Sequence, residues 1–211
     1  MIGNFILLGP PGAGKGTIGQ ALHEKFEYEH FSSGDLLRKE VKDKTKIGKD
    51  IASTLDIGGQ VSDALITDLV TKKLQELTDQ RRKFVLDGFP QTTHQFHALQ
   101  RFAHENHIEF TYVCFDVDSQ TALDRMVNRI TCSSCLKIFS KHECTSDMCT
   151  NCSGELSTRK SDQEQIAIQR LELFEKTTKH VMSLAQEDPK TVTIQSGQEK
   201  EAVLDSLISK L

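Results

Sequence analysis

The chain has no tryptophan, and only two tyrosines and four prolines among its 211 residues. It has no apolar run approaching the roughly eighteen residues that a membrane-spanning helix needs, so no membrane partner is expected. It lacks an excess of basic charge. Lysine and arginine total 26 against 30 acidic residues, a formal net charge of −4, which argues against a general nucleic-acid binder. No basic leader or cleavage signature flanks the short apolar opening "MIGNFILLGPPG", so a signal peptide is not expected. The expected compartment is then the cytoplasm, where thiols stay reduced. Low-complexity tracts and internal repeats are missing too, which excludes a solenoid. What remains is one domain, or one domain with insertions, long enough to bury a full core without cross-links.

Cysteine is present but unevenly spread. Five of the six cysteines lie between Cys132 and Cys152, and two pairs, Cys132/Cys135 and Cys149/Cys152, have C-x-x-C spacing. In a reducing compartment such pairs are better read as ligands of a tetrahedral Zn²⁺ than as disulfides. Cys144 and His142 are spare candidates. Cys114 lies in an apolar run and reads as packing. His94, His97, His104 and His107 fall on or just after one polar helix, with no carboxylate or cysteine in the pattern to complete a metal set. A solvated face is expected there.

Apolar runs and helical patterns alternate along the rest. Asn4–Gly9, Lys83–Pro90, "TYVCFDV" and "TVTIQSG" read as buried parallel strands. Helices are expected from Gly14 to about Phe26, over "SSGDLLRKEV", Ile47–Ile57, Asp63–Leu77, Thr92–Asn106 and Gln120–Arg129, from Gln163 onward, and over Glu199–Leu211. Ile130–Ser161 has no helical period and reads as a small inserted module. The pattern predicts an α/β fold, a parallel sheet flanked by helices, with ligands at the carboxyl ends of the strands.

Two motifs fall at those ends. Gly9-Pro-Pro-Gly-Ala-Gly-Lys15-Gly-Thr17 fits G-x-x-x-x-G-K between a strand and a helix. Its glycines let backbone N–H groups curl around phosphate, the helix N-terminus adds positive potential, and the lysine bridges the outer phosphates. Gly16 stands where a Mg²⁺-binding hydroxyl is usual, so Mg²⁺ would be held mostly through water and nucleotide oxygens. Asp87, at the end of a buried strand, is placed to hold Mg²⁺ through water. Asp35 reads as a helix N-terminal charge.

The segments "GPPGAGKGT", "FSSGDLLR", "LDGFPQT", an arginine-rich helix end and "STRKSDQ" stand in the order found in adenylate kinases. The chain resembles that family over essentially its whole length, and looks like the long form with a zinc-bearing lid. The resemblance implies reversible transfer from Mg-ATP to AMP, giving two ADP, by a cytosolic monomer. It implies a core P-loop domain (1–31, 62–129 and 163–211), an AMP-binding insert (32–61) and a lid (130–162). ATP would meet Gly12, Ala13, Gly14, Lys15, Gly16 and Thr17, with Arg125 near its adenine and Arg129 beside it. AMP would meet Ser33, Arg38, Val61, Gly88, Gln91 and Gln95. Arg159 and Arg170 would converge on the transferring phosphate, and Asp35 would lie near the phosphate–metal centre. Lys15, Arg129, Arg159, Arg170 and Asp87 would form the catalytic set. Zinc on Cys132, Cys135, Cys149 and Cys152 would hold together a cover too small to bury its own core.

Three positions depart from the family pattern. Gln91 replaces an arginine after "DGFP", Ser161 replaces the first of two acids in the lid, and Gly59 replaces a common lysine. The first leaves two alternatives open. One is another nucleoside monophosphate kinase, for UMP or CMP. The other is a nucleotide-binding protein with impaired transferase activity.

Overall fold

A computed structural model describes residues 3–142, 144 and 146–210. The chain runs β1 (Asn4–Leu8), α1 (Lys15–Phe26), β2 (Glu29–Ser32), α2 (Ser33–Lys42), α3 (Lys46–Asp56), α4 (Asp63–Asp79), β3 (Phe84–Asp87), α5 (Thr93–Glu105), β4 (Phe110–Asp116) and α6 (Ser119–Val127). It continues through β5 (Arg129–Cys132), β6 (Ile138–Ser140), β7 (Leu156–Ser157), a 3-10 turn (Lys160–Asp162), α7 (Glu164–Lys176), α8 (Thr178–Gln186), β8 (Val192–Gln195) and α9 (Lys200–Ser209). The last residue of the helix expected over Glu199–Leu211 lies outside the described residues.

Five strands form one parallel sheet in the order β2-β3-β1-β4-β8. Residues of β1 alternate between two apolar layers, which is why the strand reads as a continuous apolar run. Phe5 and Leu7 join Ile18 and Leu22 of α1 and Leu204 and Leu207 of α9 on one face. Ile6 and Leu8 join Val70 and Leu74 of α4, Leu99 of α5 and Val181 of α8 on the other. Cys114 is fully buried in β4, as packing requires. Among the described residues, no helix is long and apolar enough to cross a membrane.

The register fixes what meets at the sheet's carboxyl edge. Ser32 of β2 and Leu7 of β1 both lie opposite Asp87 of β3. The loops that follow these strands therefore open on one side of the sheet, where the β1–α1 glycine loop and the start of α2 also lie.

Two expectations need correction, and two features go beyond the sequence reading. β2 was not expected, because "EHFS" lacks a continuous apolar run; it lies at the sheet edge beside β3. Arg129 does not end a helix: α6 stops at Val127, and Arg129 opens β5. The inserted module is a second, antiparallel sheet in the order β6-β5-β7. Its strands are too short to show a period. The helix expected from Gln163 is two helices, broken at Thr177 (φ −126°, ψ −70°). The Thr177 hydroxyl donates back to Leu173 O at 2.8 Å, and that of Thr178 donates to Gln91 O at 3.2 Å.

Candidate active site

One cavity of about 1140 Å³ opens at the carboxyl edge of the parallel sheet. Every residue expected to meet a nucleotide lines it, from Gly12–Thr17 at one end to Ser33, Val61, Gly88, Gln91 and Gln95 at the other.

The glycine loop builds the first end. Gly12 has φ +85°, and a β-carbon there would sit 2.1 Å from Ala122 O, so only glycine lets the loop pass under α6. Gly14 caps α1 in a left-handed conformation. The Lys15 ammonium donates to Gly9 O and Pro10 O, both at 2.9 Å, and lies 4.0 Å from Asp87 Oδ1. Burial pushes the Lys15 pKa down; Asp87 works against this, while Arg170 and Arg129 add to it. Such a lysine is short of negative charge, and phosphate would supply it. Asp87 Oδ1 is buried with no hydrogen-bond partner. A buried carboxylate oxygen left over in this way suits a hydrated cation. Beside the loop, Arg125 donates to Ser196 O at 2.6 Å and Gln198 O at 3.1 Å, which fixes its guanidinium plane against the segment before α9.

Arginines converge in the middle. Asp162, in the 3-10 turn, is 2% exposed at its side chain. It accepts from Arg129 Nε at 2.8 Å, Arg129 Nη2 at 2.5 Å and Arg170 Nη1 at 2.9 Å. Burial alone would raise the Asp162 pKa, but the hydrogen bonds from Arg129 and the charges of Arg129, Arg170 and Arg159 hold it below the ordinary value. Arg38 pairs with Asp35 through Nε and Nη2, and Arg159 Nη2 stands 4.0 Å from the same carboxylate. Burial, then Arg38 and Arg129, push the Arg159 pKa down to about 9. Five cations (Lys15, Arg38, Arg129, Arg159 and Arg170) thus face three carboxylates (Asp35, Asp87 and Asp162). These eight groups carry two uncompensated positive charges. The arrangement is an anion trap whose guanidiniums are already ordered.

Asp35 fits the expectation of a helix N-terminal charge. It sits in the first turn of α2, where its N–H is capped by Ser32 Oγ at 3.0 Å, and its carboxylate holds Arg38.

Among the described residues, the far end lacks basic side chains, carries one carboxylate, Asp63, and is tightly bonded. Gly88 has φ +74°, and its carbonyl accepts from Ser33 Oγ at 2.5 Å and Gln91 Nε2 at 2.7 Å. Gln95, 2% exposed, accepts from Gln91 N at 2.8 Å and donates to Asp63 Oδ1 at 2.7 Å. His94, His97, His104 and His107 are all exposed, as expected of a solvated face. His94 Nδ1 lies 3.9 Å from Asp63 Oδ2.

The small sheet covers the cavity. Lys137 reaches Glu24 of α1 at 3.0 Å, and Lys160 reaches Asp56 of α3 at 2.5 Å. Within it, the sulfurs of Cys132, Cys135, Cys149 and Cys152 all lie within 4.8 Å of one another. The backbone N–H groups of Ser134 and Cys135 point at Cys132 Sγ, at 3.4 and 3.5 Å, and that of Asn151 points at Cys149 Sγ at 3.4 Å. Donors aimed at sulfur from the turn inside each C-x-x-C pair suit thiolates gathered on one cation. Neither His142 nor Cys144 belongs to this group.

Four groups of the candidate site escaped the sequence reading. Asp162 follows Ser161, whose departure from the family pattern drew attention away from the acid that remains. The Ser196 and Gln198 carbonyls carry no side-chain signal. Asp63 reads as an ordinary acid in the first turn of a helix.

The family model described as Adenylate kinase matches residues 7–189. Relatives named adenylate kinase include one from Mycoplasmopsis pulmonis, 31% identical over 100% of this chain and 99% of its own length. One from Clostridium kluyveri is 35% identical over 98% of this chain and 97% of its own. A third, from Thermosipho africanus, is 32% identical over 98% of both.

Proposed function

The chain belongs to the adenylate kinase family, and on that premise we propose how its residues pass a phosphoryl group reversibly from Mg-ATP to AMP, giving two ADP. The acceptor already carries an anionic oxygen, so the reaction needs positioning and charge neutralisation and no general base. The backbone of Gly12–Thr17 would cradle the donor phosphates, with Lys15 on the outer ones. Arg125 would lie against the donor adenine, with Arg129 toward its phosphates. Arg38 would hold the AMP phosphate, and Ser33, Val61, Gly88, Gln91 and Gln95 the rest of AMP. Arg159 and Arg170 would close on the phosphoryl group in flight.

Asp87 would hold Mg²⁺ through water, in keeping with its unpartnered buried oxygen. When bound, Mg²⁺ offsets the negative charge that shifts toward the leaving diphosphate. The four cysteines would hold Zn²⁺, which gives a cover of this size its folding energy and takes no part in the transfer. Residues 130–162 would act as the lid, 32–61 as the AMP-binding insert and the rest as the core. Closure would exclude water, because an open site holding ATP alone would hydrolyse it. A cytoplasmic monomer is part of the reading. Thiolate ligands persist in a reducing compartment.

The observation that carries the assignment is the ordered cation cluster between a glycine-loop end and a Gln91–Gln95 end within one cavity. One detail favours a qualification. The Gln91 amide donates one N–H to Gly88 O and brings no charge to the acceptor phosphate. The test measures ADP disproportionation, and then AMP, CMP, UMP and GMP as acceptors against one donor. Formation of ATP and AMP from ADP, with AMP the best acceptor, is expected. Another preferred acceptor would reassign the Gln91–Gln95 end, and absence of turnover would leave a nucleotide-binding protein.

A further inference from the structure

Gln95 cannot turn its amide over. Its Oε1 accepts from Gln91 N–H, a group that can only donate, and its Nε2 donates to the Asp63 carboxylate, which accepts. Asp63 opens α4 and Thr92 caps α5, so the two meet where both helices begin. Asp63 Oδ2 also accepts from Thr92 Oγ1 at 2.6 Å. That leaves a Thr92 lone pair for Gln95 N–H, at 3.2 Å. One carboxylate thus holds Gln95 twice, once by its amide and once through its helix cap. Asp63, Gln91 and Gln95 all line the cavity at its far end.

We infer that Asp63 is a positioning residue that fixes the polarity of the Gln95 amide, so that the acceptor site selects a base bearing an amino group over one bearing an oxo group. This rests on the reading that Gln95 faces the acceptor base.

The chemistry follows from what the two bonds leave unused. Nε2 keeps one N–H and Oε1 keeps one lone pair, with oxygen and nitrogen in fixed order. Adenine offers the complement, an amino donor at C6 and an acceptor at N1. Hypoxanthine has the same shape with the polarity reversed, an oxo acceptor at C6 and an N1–H donor. To pair with it, the Gln95 amide would have to exchange its oxygen and nitrogen. The oxygen would then oppose the Asp63 carboxylate, and the NH₂ would oppose Gln91 N–H. Both contacts are part-buried around a Gln95 that is itself 2% exposed, and each would set like against like. Cytosine shares adenine's polarity, so the lock selects on edge chemistry and leaves size to other walls.

The test is the ratio of kcat/KM for AMP to that for IMP, with ATP as donor, in the full-length protein and in Asp63→Asn and Asp63→Ser. Asparagine can turn its own amide to suit an exchanged Gln95, and a serine hydroxyl can donate or accept. Either change should lower the AMP/IMP ratio roughly ten-fold, the scale of one relieved buried mismatch. The change should appear in the acceptor KM more than in kcat. The ratio is taken within one protein sample, so partial loss of folded protein cancels. A merely structural role at the helix start would slow both acceptors alike. Gln95→Ala is the control on the underlying reading. If it abolishes discrimination while both Asp63 variants keep the wild-type ratio within two-fold, the lock is wrong and the placement of Gln95 stands. If Gln95→Ala itself preserves discrimination, the placement of the acceptor base is wrong, and the lock falls with it.

Discussion

Replacing Asp162 by asparagine keeps the shape of a side chain that is 2% exposed and removes its charge. Three N–H donors from two arginines then face a neutral amide. Removing one partner of a buried ion pair costs about 3–5 kcal/mol. The asparagine carbonyl still accepts one of the three bonds, and Arg129 and Arg170 retain 15% and 24% side-chain exposure, which favours the lower figure. A loss of about 3 kcal/mol in a chain of this size lowers Tm by about 6–12 °C. Ligand should reverse part of the loss. The remaining cations have one carboxylate fewer, so a phosphate-bearing ligand relieves more repulsion in the variant than in the parent. Thermal melts with and without a non-hydrolysable ATP analogue should therefore show a larger ligand-induced shift in Asp162→Asn. The pH dependence has a definite sign. The Asp162 pKa is held down in the folded protein, so its contribution is complete above the ordinary aspartate value of about 3.9 and disappears as pH falls below it. The two proteins should differ fully at neutral pH and converge only on acidification. A Tm loss below about 3 °C, or equal ligand shifts in both proteins, would refute the view that Asp162 holds the arginines against their own repulsion.

Lys15→Ala should reduce transfer by at least ~10³-fold, because it removes a buried cation from the donor-phosphate site; steady-state kinetics on protein with unchanged circular dichroism checks this, and near-normal turnover would displace Lys15 from that role. One equivalent of zinc per chain is expected by metal analysis, with stripping lowering Tm and opening the small sheet first in hydrogen exchange. A full equivalent retained by Cys149→Ser would move the ligand set. Gln91→Arg should raise kcat/KM for AMP by ~10-fold, about 1.4 kcal/mol, since a guanidinium adds charge where an amide now bonds Gly88 O. ATP binding without AMP should hardly change, and unaltered AMP kinetics would mean that another cation already serves the acceptor.

Much of this arrangement can be read in the sequence because its determinants are local. The glycine loop, the apolar strands around it and the cysteine pairs each announce themselves within a dozen residues. What escaped reading depends on partners far along the chain. β2 takes its place from pairing with β3, more than fifty positions away, and its own composition gives little sign of it. The strands of the inserted sheet are two to four residues long, and no period can develop over that length. The break at Thr177 shows in sequence only as a lengthened apolar step, and its cause includes a bond from Thr178 to the carbonyl of Gln91. Asp63 and Asp162 look like any helix-terminal acids until the groups they hold come into view.

Arg129 and Arg159 occupy the two places where the chain crosses between the parallel sheet and the small one: Arg129 opens β5, and Arg159 precedes the 3-10 turn. If the small sheet acts as the proposed lid, its closing would deliver both guanidiniums and its lifting would withdraw them. Enclosure and charge neutralisation would then be a single mechanical event. Fidelity in such a device would come from timing: water present when the clamps are away, and the clamps present when water is not.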